Sequence, residues 1–175
     1  LLAGLDGVER EDIVALAAYP EASIGSVTTS DFVALDSAMT VAQALAHIRT
    51  LAPSSETVYA LYVLDGQRRL QGTVSLRDLV VALADTTVAS LMRPDPVYVQ
   101  AAWPRLQAAG LIRRYDLLAV PVLDDSQAMI GIVTVDDAMD IDKRQDANQL
   151  ARFGGTSVAG GTDLDMMTTP FRRMF

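Results

Sequence analysis

With 175 residues, the chain has room for one ordinary domain or for two small repeats sharing a core. Half of it is hydrophobic and 21% is charged, so it is expected to fold rather than stay disordered. The net charge of −8 speaks against a nucleic-acid partner and favours cationic ones, metal ions included, while the absence of cysteine excludes disulfides and thiolate metal sites.

In chain order, the mixture of Val8, Val14, Leu16 and Ala17 with Glu9, Glu11 and Asp12 predicts a helix from Val8 to Ala18. Tyr19-Pro20 ends it, because the residue before proline is pushed out of helical space. Thr40 is the cap of a second helix to about Leu51, with Val41, Leu45 and Ile48 on one face. Thr57 to Leu64 and Leu70 to Val74 read as strands, joined by a turn at Asp65-Gly66. Ser75 then caps a helix from Leu76 to Ala84. Arg93-Pro94-Asp95-Pro96 reads as a joining segment. Beyond it, Val97 to Val99 is a short strand, and Pro104 suits the start of a helix ending near Arg114. Leu117 to Leu123 and Met129 to Val133 are strands, and Thr134 opens a helix to about Phe153, stopped by Gly154-Gly155.

This order contains a repeat. Gly72-Thr73-Val74-Ser75-Leu76-Arg77-Asp78 returns as Gly131-Ile132-Val133-Thr134-Val135-Asp136-Asp137, and Val63-Leu64-Asp65 returns at the same offset as Val122-Leu123-Asp124. Each copy is a β-α-β-β-α unit, so the fold class is α+β, or mixed α/β. The expected divisions are 1–19 as the end of a preceding helical domain, 20–93 and 94–153 as the repeats, and 154–175 as a connecting segment. No apolar run approaches the ~20 residues of a membrane span. No signal peptide is readable in Leu1 to Gly7, and a start without Met predicts a fragment of something longer. Arg172-Arg173 beside Phe171, Met174 and Phe175 reads either as the cytoplasmic flank of a membrane segment or as a terminus.

A tandem β-α-β-β-α unit ending in Gly-x-x-Ser/Thr-x-x-Asp resembles a pair of cystathionine-β-synthase (CBS) domains. More narrowly, Tyr19-Pro20-Glu21, Thr57-Val58-Tyr59, Tyr115-Asp116-Leu117 and the two repeat motifs resemble the cytosolic region of MgtE-type magnesium transporters. That resemblance implies a homodimer attached to its own transmembrane domain in the inner (plasma) membrane. It implies a cytoplasmic module that closes when Mg²⁺ binds its carboxylates and opens when the ion leaves. The metal candidates carried over are Asp116, Asp137 and Asp140. Asp137 and Asp140 share a helix face by their spacing, whereas Asp136 matches no sensing position and suits the helix dipole alone. The chain departs from the family at Pro104, Leu106, Gln145, Asn148 and Gln149, where relatives carry acids. Asp142 and Asp146 are displaced from those positions, so fewer or weaker magnesium sites are expected.

The nucleotide candidates are Tyr59, Ser75, Arg77 and Asp78, since CBS units commonly hold adenosine at such positions. A carboxylate accepts from ribose hydroxyls, Arg77 adds positive charge, and Tyr59 or Tyr62 offers a stacking face. Ser75 and Thr134 also suit helix capping alone, and Ala60 stands where the family carries an aromatic residue. ATP or another adenine nucleotide is thus the alternative ligand, and a dimerisation domain without any ligand is a third reading. His47 has no second ligand in sequence and reads as a surface or core-edge residue. With no cysteine, one histidine and no nucleophile–base pairing, an enzyme is not expected.

Overall fold

Phe32–Leu35 alternates in burial, with Val33 and Leu35 turned inward, and forms a first strand (β1) too short to show in the sequence pattern. The computed structural model describes residues 16–52, 55, 57–141 and 143 of the chain. Helix α1 (Val41–Leu51) follows, and its start is fixed by a capping box. The Thr40 hydroxyl accepts from the Gln43 N–H while the Gln43 side chain accepts from the Thr40 N–H. Val41, Ala44 and Ile48 are buried, and Leu45 packs at the core margin. β2 (Thr57–Leu64) runs parallel to β1 and returns as β3 (Leu70–Ser75), antiparallel to it.

Ser75 caps α2 (Leu76–Val81), which stops short of the expected Ala84. The cause is tertiary. The Val41 and Ala42 N–H groups, orphans at the start of α1, donate to the carbonyls of Thr86 (2.8 Å) and Ala84 (3.0 Å). A continuing helix would have bent those carbonyls elsewhere. Helix α3 (Val88–Leu91) leads to a two-residue strand β4 (Arg93–Pro94), paired antiparallel with β3. The joining segment is thus part of the first sheet, and proline is tolerated because the strand lies at its edge.

The second copy repeats the plan. β5 (Val99–Gln100) is parallel to β6 (Ala119–Leu123), across helix α4 (Arg105–Tyr115), and β6 is antiparallel to β7 (Met129–Thr134). Helix α5 covers residues 135–141. The registers coincide between copies: Val63 pairs with Gly72 as Val122 does with Gly131, and Ala60 pairs with Ser75 as Ala119 does with Thr134. Of the expected N-terminal helix only residues 16–18 are described, 16–17 as helix and 18 as a turn; Asp142, Gln145, Asp146, Asn148, Gln149 and the segment 154–175 lie outside the described residues.

Three apolar clusters hold the fold. One lies under the first sheet (Val33, Val41, Leu61, Val63, Leu79), and one under the second (Val99, Ile112, Val120, Val122, Val133). A third joins the sheets, with Tyr62 against Ala119, Leu123, Met129 and Ile132. Each such side chain contributes about 1.5–3 kcal/mol when fully buried. Ile24, although it precedes β1, belongs to the second cluster. Its N–H donates to the Trp103 carbonyl at 2.8 Å, and the Gly25 N–H to that of Ala101 at 2.9 Å.

The glycines of the repeated motif make room for edge segments. A Cβ on Gly72 would stand 2.6 Å from the Arg93 carbonyl oxygen, and one on Gly131 would fall on the Thr29 carbonyl oxygen and the Thr28 methyl group. Gly72 admits β4, which then leads into the second sheet. Gly131 admits Thr28–Thr29, bridged to Ile132, which then leads into the first sheet. Each repeat therefore has its edge covered by the approach segment of the other.

The repeated aspartates act in the turns. The Asp65 carboxylate accepts from the N–H groups of Gln67 (2.8 Å) and Arg69 (2.9 Å), and Asp124 accepts from Ser126 (2.8 Å) and Ala128 (3.0 Å). This leaves Arg68 and Gln127 at positive φ in matching places. The Arg69 N–H, chiefly, holds the Asp65 carboxyl below its ordinary range. No helix among the described residues is long and apolar enough to cross a membrane.

Candidate ligand cleft between the repeats

The end of β3, the edge strand β4 and the start of β6 enclose a cleft of about 230 Å³, whose walls include Tyr59, Ala60, Tyr62, Ser75, Arg93 and Asp116. Its lining is mainly apolar with a few polar groups among it, as suits a small organic ligand. Tyr59 stands at the rim, 65% exposed. Ala60 leaves the wall shallow where an aromatic side chain would fill it. Tyr62 cannot offer a stacking face: it is 1% exposed and meets Phe32 edge-on, at 5.8 Å and 86°. Its hydroxyl nevertheless has no hydrogen-bond partner, and burial pushes its pKa up.

Ser75 is committed to the backbone, accepting from the Asp78 N–H at 3.1 Å. Asp78 lies one turn into α2, where it meets Arg93 (Nη2 to Oδ2, 3.6 Å). Both line a shallower depression beside the cleft. Arg77 is exposed and lines neither space. Sequence reasoning missed Arg93. Its signal was Gly72, since a strand glycine often marks the close approach of another backbone.

The metal candidates are spread over two elements. Asp116 ends α4 in a left-handed conformation (φ 51°, ψ 48°), which aspartate tolerates better than most residues, and it lines the cleft with Tyr59 and Ser75. Asp137 is half-buried and accepts from the buried Thr134 hydroxyl at 2.8 Å, while that hydroxyl accepts from the Asp137 N–H at 3.4 Å. Asp140 is exposed one turn further along α5. Among the described residues no three His, Asp or Glu side chains are grouped to hold one metal ion. Pro104 precedes the first turn of α4 and Leu106 is exposed within it, so neither supplies an oxygen side chain there. His47 is half-buried on α1, facing a shallow surface groove with Asp36.

The comparisons agree with this architecture. The CBS domain family matches residues 24–85 and 88–144. A magnesium transporter MgtE of Thermus thermophilus is 39% identical over 154 residues, which is 88% of this chain and 34% of the transporter. The chain thus spans about a third of the length of that relative. Among solved structures, the cytosolic domain of the Mg²⁺ channel MgtE in complex with ATP is 42% identical with a TM-score of 0.74, covering 78% of this chain and 55% of that one. The soluble part of a magnesium transporter is 35% identical with a TM-score of 0.77, covering 81% and 55%.

Proposed function

Because the chain belongs to the CBS-domain family, with MgtE magnesium transporters among its relatives, we propose that it is the cytosolic regulatory module of such a transporter, sensing intracellular Mg²⁺ and gating the pore. The observation that carries this reading is the identity to the Thermus MgtE along 88% of the chain. Asp116, Asp137 and Asp140 are the proposed magnesium ligands. Mg²⁺ keeps several of its waters and needs only one or two carboxylates at a time, so dispersed acids suit it better than a closed cage. The module acts as a homodimer, and the outward Val80, Val81 and Leu83 of the α2 region, 66–78% exposed, favour a partner surface. The transmembrane domain of the whole protein is its other partner. No catalytic role is assigned.

Thermal melting in millimolar MgCl₂ tests the proposal. Ligand that binds only the folded state at a hundred times its Kd adds about 2.7 kcal/mol of stability. The melting temperature should rise with magnesium, and Asp137→Asn with Asp140→Asn should remove the rise. A melting temperature and scattering radius both indifferent to magnesium would sink the sensor role.

A second reading has its own support. The cleft brings the exposed Tyr59 ring, the Ser75 hydroxyl, Arg93 and the Asp116 carboxylate around one largely apolar space. Together with the ATP complex of a relative, this favours an adenine nucleotide in the cleft between Tyr59, Ser75 and Asp116. ATP should then raise the melting temperature in magnesium-free buffer. A chain indifferent to both ligands would be a dimerisation domain alone.

A further inference from the structure

The two halves of the repeat differ where a charged ligand would be read. In the first repeat, the edge segment admitted by Gly72 carries Arg93, which lines both the cleft and the adjoining depression and pairs loosely with Asp78. In the second, the segment admitted by Gly131 is Thr28–Thr29, which brings no cation, and Asp137 is engaged by its own Thr134 hydroxyl. Only the first arrangement pairs the motif carboxylate with an exposed guanidinium. At 3.6 Å and with Arg93 76% exposed, that contact is weak and readily exchanged. The cleft wall beside Arg93 also carries Ser75, Thr73 and Asp116, so polar groups line the space that the guanidinium borders.

We propose that Arg93 is the phosphate reader of the first-repeat cleft: a nucleotide's phosphate oxygens take the guanidinium from Asp78, which is released to accept from the ribose hydroxyls. This inference rests on the nucleotide reading above and adds its specificity, for a phosphorylated nucleoside over the bare nucleoside. Guanidinium is suited to the task because its planar fork can donate two hydrogen bonds to one phosphate.

Calorimetric titration of the chain with ATP and with adenosine, in magnesium-free buffer, tests the assignment. ATP should bind tighter than adenosine by on the order of tenfold or more, the scale of charge-assisted hydrogen bonds. Arg93→Gln should bring ATP down toward adenosine without weakening adenosine, since Asp78 is then free for the ribose, and Arg93→Lys should restore part of the gap. Raised salt should erode the ATP advantage in the parent and not in Arg93→Gln. The proposal is overturned if ATP binds the parent and Arg93→Gln equally, or if adenosine weakens in step with ATP. Absence of any binding by the parent chain would remove the nucleotide reading itself and this inference with it.

Discussion

Among the described residues, the hydroxyl of Tyr62 is a buried side-chain polar atom without a hydrogen-bond partner, whereas the buried hydroxyls of Ser23 and Thr134 are satisfied. Leaving such a group unpaired costs about 1–3 kcal/mol. Tyr62→Phe should therefore stabilise the ligand-free chain by a similar amount, read as a higher urea midpoint at unchanged slope. A lower midpoint would mean that the hydroxyl is paired in solution. Their spacing puts Tyr59 and Tyr62 on opposite faces of β2, but which face is covered is decided by where the second sheet lies. The caps at Thr40, Ser75 and Thr134 were legible, since each depends on residues within one turn. Arg93 was not, because its role comes from a sheet edge and an ion pair with Asp78, fifteen positions away in sequence.

At the scale of elements, local pattern located most strands and both long helices, and it failed where another element set the boundary. Helix α2 ends early because α1 needs the carbonyls of Ala84 and Thr86. β1 escaped notice because four residues carry little periodicity. The motif glycines were visible as a repeat, but their purpose requires the edge segments they admit. Gly131→Ala should force Thr28–Thr29 off β7 and destabilise by about 1–3 kcal/mol, as overpacking does. Gly66→Ala, with nothing within 4 Å of the new Cβ, should change stability by no more than about 0.5 kcal/mol. Paired thermal melts check the contrast, and equal effects would refute the steric account of the motif.

For the molecule as a whole, the shared cluster around Tyr62 and the crossed approach segments tie the repeats together. The Met129 N–H donates to the Arg68 carbonyl at 2.9 Å, joining the two hairpin turns directly. The repeats should unfold in one transition. Trp103, the chain's single tryptophan, reports on the second repeat, so its fluorescence and the far-ultraviolet circular dichroism should give coincident urea curves. Separate midpoints would show two independent domains. The crossing also sets a timetable for synthesis. Thr28 and Thr29 leave the ribosome with no strand to join, and Gly131 follows about a hundred residues later, on the order of ten seconds at ordinary elongation rates. Through that interval Phe32 and Tyr62 are made but their cover is not, so the nascent first repeat presents an apolar sheet face to the cell. Translation speed and chaperone capture across residues 30–130 should thus govern the yield of this protein more than the intrinsic stability of either repeat.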